Sequence, residues 1–459
     1  MLVVLIVLGV LAGYYLWFSH IVGAANGRVD PKVSAELKTP VSSSVRVAVP
    51  ASPGAMNILL LGSDKRADTP GGRSDSLILV HIDPSRNFVS MLSLPRDWRV
   101  DVPGHGLNKL NTAYAYGGAA LAIRTIKQAT GIKIDHYIQV DFEAFQKLAD
   151  SLGGVYLDVD RRYFNNDPSY EPIDIQAGYQ LLGGHDALEY VRFRHDSNSD
   201  FGRMLRQQRF LQALKEQITA QGAQLLLHLP GIARDLFSDA ATDLTSDQIL
   251  RLAYFGARLG GGHIRQVRMM GSTPTINGVS YVVATDEQVQ QAITDYMTPP
   301  SPQTTTTVGA PLAGTTGNAT LAAWRSVAAT VPFAVEAPDY LPSGYAYSDQ
   351  RPEAGQTYLI DTGSGSKPAV RVIYRYSNRD QYLGVTETSW LSAPVASPAT
   401  ATVQSGGITY NVAGTEGKVD HIWWKKGGVL YWVSNTISYL LSQGEMVGVA
   451  ESFKQVAAQ

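Results

Sequence analysis

The first eighteen residues, Met1 to Phe18, contain no charged side chain, and this run constrains the chain more than any other feature. As a helix it spans about 27 Å, close to the ~30 Å hydrocarbon core of a bilayer. Tyr14, Tyr15, Trp17 and Phe18 cluster at its downstream end, where an interfacial aromatic belt sits. The run reads as a transmembrane signal anchor over residues 1–20, which makes the protein single-pass in the cell membrane with the rest extracytoplasmic. The basic residues argue for the opposite orientation, because none precedes the run while Arg28 and Lys32 follow it. A start upstream of Met1 would remove that conflict. The competing readings are a cleaved signal peptide, for which Gly23-Ala24-Ala25 offers small residues, and a buried core helix.

The full chain of 459 residues implies two or three folded units. Apolar residues make up 44% and charged residues 17%, enough to build cores and too apolar for global disorder. The net charge of −2 gives no overall attraction to nucleic acid, so any anion site must be a local cluster. With no cysteine, the chain has no disulfide, thiolate metal site or cysteine nucleophile.

Residues 21–55 read as a juxtamembrane stalk. From Asn57 the texture is that of an α/β domain over residues 56–297. Asn57 to Leu61 is a continuous apolar run stopped by Gly62, as in a strand buried on both faces. Ser76 to Ile82, Phe88 to Leu94 and His136 to Val140 read as further strands. Ala119 to Thr130 (ending at Gly131) and Phe142 to Leu152 read as helices. Met204, Leu211, Leu214 and Ile218 share one helical face, and Thr245 with Gln248 forms a capping-box signature. Residues 298–318, rich in Pro, Thr, Gly and Ala, form a linker. Residues 319–459 read as a smaller α+β domain. Its expected strands are Ala369 to Tyr376, Leu383 to Trp390 and a His421 to Ser434 hairpin turning at Lys425-Lys426-Gly427-Gly428. Its last helix is capped at Ser442 and carries Met446, Val449, Phe453 and Val456 on one face. Trp423, Trp424, Tyr431 and Trp432 are able to stack on sugar rings, but alternation puts about half of them in the core.

Charge concentrates in three segments: Asp64 with Arg73 and Asp75; Arg96 and Asp97 with Lys109 and Asn111; and Arg192 and Arg194 with Asp200, Arg203, Arg206 and Gln207. Asp64 follows the first strand and Arg96 and Asp97 follow the third, at the carboxyl ends where open α/β sheets bind ligands. Arg192 and Arg194 flank Phe193, so on a strand both project from one face. Arg203, Arg206 and Gln207 fall at i, i+3 and i+4 on the first turns of a helix, whose N-terminus is itself an anion site. Arginine forks bind phosphate in bidentate fashion, and several of them converging suit a diphosphate. Asp64 and Asp75 would repel that ligand, a conflict that Mg²⁺ shared between carboxylates and phosphate removes and that arginine neighbours also offset. Taken singly, each segment also fits a turn, a cap or a solvated face.

In this order, NILLLGSD, RSDS, SLPRD, KLN-x-AY-x-YGG, IDHYIQVDF, LGGV, ALEYVRFRH and D-x-GR-x-x-RQQ resemble the LytR–CpsA–Psr family. The likeness is dense from about Met56 to Thr219 and looser beyond. It implies a three-layer α/β/α domain with a central mixed sheet, an apolar pocket for a polyprenyl chain and a pyrophosphate clamp at its mouth. It also implies transfer of a glycopolymer, such as teichoic acid or capsule, from a polyprenyl-pyrophosphate carrier to peptidoglycan through a phosphodiester. By motif match, Asp64 and Asp75 become ligands of Mg²⁺ (or Mn²⁺). Arg73, Arg96, Lys109, Arg192, Arg194, Asp200, Arg203, Arg206 and Gln207 become the pyrophosphate-binding set. Arg73, Asp75, Arg96 and Asp97 become the catalytic residues, with Asp97 and Asp75 both candidates for general base. His81, His105, His136 and His195 read as structural. Two other functions keep the same arginines: a polyprenyl-pyrophosphate hydrolase with water as acceptor, and a non-catalytic sensor of the lipid carrier. The carboxylate pair favours an enzyme.

Overall fold

The apolar runs assemble into a six-stranded sheet. β1 (Met56–Ser63) lies at its centre, antiparallel to β2 (Ser74–Asp83), which pairs antiparallel with β3 (Phe88–Ser93). The structure, a computed structural model, describes residues 2–47, 49, 52–63, 74–167, 172–194, 199–221, 225–259, 263–300, 318–347, 355–376, 381–396, 399–415 and 418–456. They fall into two compact units, Met1–Leu152 with Ala223–Leu259 and His263–Pro300, and Gly153–Gly222 with Gly260–Gly262 and Ser301–Gln459.

In the first unit, β4 (Arg99–Val102) and β5 (Gly106–Lys109) form a separate hairpin. β6 (His136–Asp141) joins the main sheet parallel to β1. Two later strands complete the main sheet: β11 (Ala241–Thr242), antiparallel to β6, and β12 (Ile264–Arg268), parallel to β3. The sheet is therefore mixed. β6, β1, β3 and β12 run one way, and their carboxyl ends share an edge with the start of β2. Alternation divides β1 between two apolar layers. Leu59 and Leu61 face the core built with α3 (Leu110–Thr130) and α9 (Asp286–Met297), while Ile58 and Leu60 pack towards α8 (Ser246–Arg258) and Leu244. Helices thus cover both faces of the sheet.

The helix expected at Ala119 begins earlier, at Leu110. Gly117 and Gly118 interrupt it with non-helical backbone, and this break hid its first turns from the periodicity. At its other end Gly131 has φ +69° and a side chain there would strike the Val45 carbonyl, so the C-cap demands glycine. α4 (Phe142–Ser151) is capped by Asp141, and the Thr245–Gln248 box closes reciprocally on α8. The segment read as a stalk is folded. α2 (Pro31–Lys38) buries Val33 and Leu37 in the core, and Lys127 of α3 donates to Glu36 and to the Thr39 carbonyl. α1 (Leu2–Gly27) packs Phe18, Val22 and Ala25 on Phe237 of α7 (Leu225–Asp239). Among the described residues no helix is long and apolar enough to cross a membrane, and the side chains of residues 1–11 of the expected anchor lie outside them.

In the second unit, β7 (Val155–Val159) pairs with β10 (Gly178–Leu182), and β8 (Tyr163–Asn165) pairs with β9 (Ile173–Ile175). α5 (Gly184–Arg192) and α6 (Ser199–Gln221) follow. Burial on α6 departs from the expected stripe. Gly202 to Phe210 are buried around the whole helix, whereas Leu211, Leu214 and Ile218 are half-buried. The C-terminal residues add α10 (Asn318–Ala328) and an eight-stranded sheet of β16 (Tyr345–Tyr347), β17 (Gln356–Asp361), β18 (Ser366–Tyr376), β19 (Tyr382–Thr388), β20 (Ala401–Ser405), β21 (Ile408–Thr415), β22 (Lys418–Lys426) and β23 (Val429–Ser434). Gly427 and Gly428, at φ +56° and +79°, make the turn between the last two strands. α11 (Gln443–Glu451) starts at the Ser442–Glu445 capping box. Phe453 does not extend that helix; it opens β24 (Phe453–Gln455), which pairs with β15 (Glu336–Pro338) ahead of Val456. Of the four aromatics expected to divide between core and surface, Trp424, Tyr431 and Trp432 are all buried. The reason is that the sheet is covered on both sides. Trp424 and Tyr431 join the cluster with Met446, while Trp432 packs with Tyr179 of β10. Residues 301–317 of the expected linker lie outside the described residues.

Candidate functional site

The carboxyl edge of the first unit's sheet holds one group of the expected residues. After β3 the chain turns through Pro95, and Arg96 and Asp97 leave the edge. The Arg96 carbonyl accepts from Asn111 N at 2.9 Å and the Asp97 carbonyl from Val282 N at 2.8 Å, so both backbones are fixed. Lys109 Nζ lies 3.0 Å from Asp97 Oδ1, and Arg96 Nε lies 3.9 Å from Asp97 Oδ2. All three side chains keep some solvent access, at 13% for Arg96, 17% for Asp97 and 23% for Lys109. Among the described residues these side chains form a partly exposed group of two cations and one carboxylate at the carboxyl edge of the sheet. Lys109 Nζ and the Arg99 guanidinium each lie 5.7 Å from the centre of the Tyr281 ring.

Further polar residues stand at the same edge: Gln139 of IDHYIQVDF and Ser74 of RSDS, to which the sequence pattern assigns no role, and Asn111, which it groups with Lys109. Gln139 donates to the Tyr114 hydroxyl at 2.9 Å and to Ser63 Oγ at 3.3 Å. Asn111 is buried, and its Oδ1 has no hydrogen-bond partner among the described residues. Ser74 Oγ, fully buried at the start of β2, is likewise without a partner there. The register pairs Ser63 with Ser74 and Gly62 with Ser76, so the backbone of Asp75 stands at this edge. The Asp75 side chain, Asp64, the Lys65 to Gly72 loop and Arg73 lie outside the described residues.

A second group lies in the second unit, around the junction of α5 and α6. Arg192 and Arg194 do not lie on a strand. Arg192 ends α5, and Phe193 is its C-cap. Asp186 in the first turn and Arg192 in the last turn both suit the helix dipole, which outweighs the alternation read from Arg-Phe-Arg. Arg192 Nη1 lies 3.1 Å from the buried Glu189 carboxylate. Arg206 is 1% exposed and donates through Nη2 to the Phe193 carbonyl. Its guanidinium sits 5.2 Å from the Tyr163 ring centre and 5.5 Å from that of Phe193. Arg206 therefore holds the end of α5 against α6. Tyr163 donates to Asp160 Oδ1 at 2.6 Å, and burial pushes its phenol far up, so it remains a neutral donor. Arg203 and Gln207 are buried beside it on α6, with Gln207 Nε2 3.5 Å from the Val191 carbonyl. Asp200 falls inside the first turn of α6; its side chain and His195 lie outside the described residues.

A mixed sheet covered by helices, with Arg96, Asp97 and Lys109 at its carboxyl edge, defines an α/β protein. The family can be stated too: the LytR_cpsA_psr family model matches residues 23–297, and the chain belongs to that family. It is 35% identical over 241 residues to the polyisoprenyl-teichoic acid--peptidoglycan teichoic acid transferase TagU of Halalkalibacterium halodurans, covering 51% of this chain and 75% of TagU. It is also 35% identical over 208 residues to the regulatory protein MsrR of Staphylococcus aureus (strain COL), covering 45% of this chain and 62% of MsrR. The crystal structure of B. subtilis TagV aligns at a TM-score of 0.47 and 28% identity, over 53% of this chain and 97% of that one.

Proposed function

We propose that this protein transfers a glycopolymer from a polyprenyl-pyrophosphate-linked precursor to peptidoglycan, forming a phosphodiester. The observation that carries this reading is the similarity to TagU over three-quarters of that transferase. The cationic sheet edge at Arg96 and Lys109 supports it chemically. In the reaction an acceptor sugar hydroxyl attacks the sugar-linked phosphorus. The new O–P bond forms as the bond to the bridging pyrophosphate oxygen breaks, and polyprenyl phosphate leaves. Arg96 and Lys109 stabilise the phosphate oxygens as charge shifts to the leaving group. Asp97 spaces these two cations and, through a carboxylate oxygen, receives the hydroxyl proton. By motif, Arg73, Arg192, Arg194, Arg203, Arg206 and Gln207 belong to the pyrophosphate-binding set as well.

By motif, Asp64 and Asp75 would hold Mg²⁺, or Mn²⁺. Two carboxylates suit a hard dication, and the buried Ser74 hydroxyl, without a partner among the described residues, is a further oxygen next to the Asp75 backbone. The ion would supply Lewis-acid compensation of the phosphate charge. The anchor reading rests on Met1 to Phe18 and on Tyr14, Tyr15 and Trp17, which remain exposed on α1, whereas Phe18 of the expected belt is buried against Phe237. It makes the protein single-pass, with its catalytic face outside the cell.

The test uses the full chain with Mg²⁺, a short-chain polyprenyl-pyrophosphate saccharide and peptidoglycan oligomers, with products read by mass spectrometry. A phosphodiester adduct that is lost in Arg96→Ala and Asp75→Ala is expected. Free saccharide phosphate without adduct would establish hydrolysis instead. Lipid binding with no product would favour a regulator, the role named for MsrR.

A further inference from the structure

The β4–β5 hairpin and the first turns of α3 present an aromatic face that neither the core nor the phosphate cluster uses. His105 sits in the hairpin turn between Gly104 and Gly106, at φ +81° and +67°. These positive φ values direct the turn, and His105 N is held on the Val102 carbonyl at 2.8 Å. The imidazole stacks on Tyr116, with ring centroids 4.3 Å apart and an interplanar angle of 16°. Asn108 Nδ2 donates to the Tyr116 hydroxyl at 3.3 Å, which fixes the ring. Yet Tyr116 remains 51% exposed and the neighbouring Leu107 59% exposed. Stacking, a hydrogen bond and a turn set by two positive-φ glycines thus hold a large ring in water, where it contributes little to folding.

The backbone gives the same reading. Gly117 and Gly118 break α3 immediately after Tyr116; Gly118 has φ +63°, and a side chain on Gly117 would meet Leu121 Cβ at 2.6 Å. The break gives the Leu110–Tyr116 turns a direction of their own. Lys109 is the N-cap of this short helix, so Tyr116 stands about 10 Å along it from the lysine that pairs with Asp97. A flat ring with open surface, an amide and a hydroxyl at its rim, and a phosphate-handling edge one sugar or two away together match a pyranose ring.

We propose that Tyr116, backed by His105 and rimmed by Asn108, is a saccharide subsite for the acceptor glycan strand. The inference rests on the transfer reading above. The acceptor is the committed occupant because the face is open to solvent: a strand within a cross-linked wall cannot thread a closed cavity, but it can lie across an exposed ring. The chemistry is stacking of the apolar sugar face on the phenol ring, with polar rim contacts.

The experiment measures steady-state transfer by the full chain with separate titrations of acceptor and lipid donor, in wild type, Tyr116→Ala, Tyr116→Phe and His105→Ala. Folding is checked by circular dichroism. Tyr116→Ala should raise the acceptor KM about tenfold, with kcat within about twofold and the donor KM unchanged. Tyr116→Phe, which keeps the stacking face, should recover most of the affinity, and His105→Ala should fall between. A rise in donor KM alone would overturn the acceptor assignment, and unchanged KM values in folded Tyr116→Ala would overturn the subsite. NMR titration with a lipid-free N-acetylglucosamine–N-acetylmuramic acid tetrasaccharide separates the two proposals. Binding that Tyr116→Ala loses stands even if no transfer occurs, and absence of binding to a wild type that does transfer sinks the subsite alone.

Discussion

His81 shows how one buried side chain sets a pH limit on the first unit. It has no exposed surface, and its Nδ1 lies 2.9 Å from Asn57 Oδ1, which also accepts from the Tyr296 hydroxyl at 3.0 Å. Because that oxygen is an acceptor, Nδ1 carries the proton and Nε2 is bare, 3.9 Å from Asp83 Oδ2. Burial lowers the imidazole pKa from 6.5 to about 4, against the upward pull of Asp83. Between these values the unfolded chain binds a proton that the folded chain refuses. The stabilising contribution is therefore complete above the unfolded value of 6.5 and is lost as pH falls towards about 4, by about 3 kcal/mol in all. Thermal melts from pH 7 to pH 4 should show a shallower loss in His81→Gln than in wild type. Equal slopes would assign the titration to other groups. Arg206 illustrates a different point at this scale. Its guanidinium, grouped by spacing with the phosphate contacts, donates to the Phe193 carbonyl and lies against two aromatic rings. Spacing on a helix tells which residues share a face, not whether that face looks at ligand or at protein.

At the scale of elements, β7 depends on distant sequence. Asp158 on this strand accepts from Arg371 Nη1 of β18, from Ser434 Oγ and, at 3.1 Å, from Trp432 Nε1 of β23. Burial pushes its carboxyl up, but Arg371, Arg209 and these donors hold it below the ordinary carboxylate value. Gly384 on β19 leaves the space that the Arg371 guanidinium fills. Arg371→Met should cost about 3–5 kcal/mol in chemical denaturation, because it strands a buried carboxylate. Asp158→Asn combined with Arg371→Met should cost clearly less than the sum of the singles, and strict additivity would mean the pair is not coupled. Elements written in local chemistry were legible in the sequence. The capping boxes at Thr245 and Ser442 close on residues three positions away, and the Gly427-Gly428 turn joins adjacent strands. Asp158 was not, since its partner lies 213 residues on. The α5 assignment failed for a related reason: three residues of alternation at Arg192 to Arg194 are too few to outweigh a helix already under way.

At the scale of the whole molecule, sequence order and compactness part company. Gly153–Gly222 lies inside the family match of residues 23–297, yet it forms its compact unit with Ser301–Gln459. Composition marked residues 298–318 as a boundary, but composition cannot report which segments a later domain will cover. Within the second unit the coverage is specific. The Tyr179 hydroxyl accepts from Val395 N at 3.0 Å, and its backbone N donates to the Tyr358 hydroxyl at 3.0 Å. Gln212 of α6 donates to Asp420 of β22 at 2.6 Å, and Gln356 donates to the Ala177 carbonyl at 2.7 Å. A chain ending at Pro300 loses every one of these partners and uncovers Tyr179 and Asp158 together. We predict that such a chain keeps the first unit and loses order in residues 153–222. Hydrogen exchange should show β1, β2 and α3 protected as in the full chain, while amides of β7, β10 and α6 exchange at least about tenfold faster. Transfer should fall with them, because Arg192, Arg203 and Gln207 lie in the loosened segment. If β7 and α6 stay protected in the shortened chain, the C-terminal sheet is an independent attachment and its contacts with α6 do not hold the arginines in place.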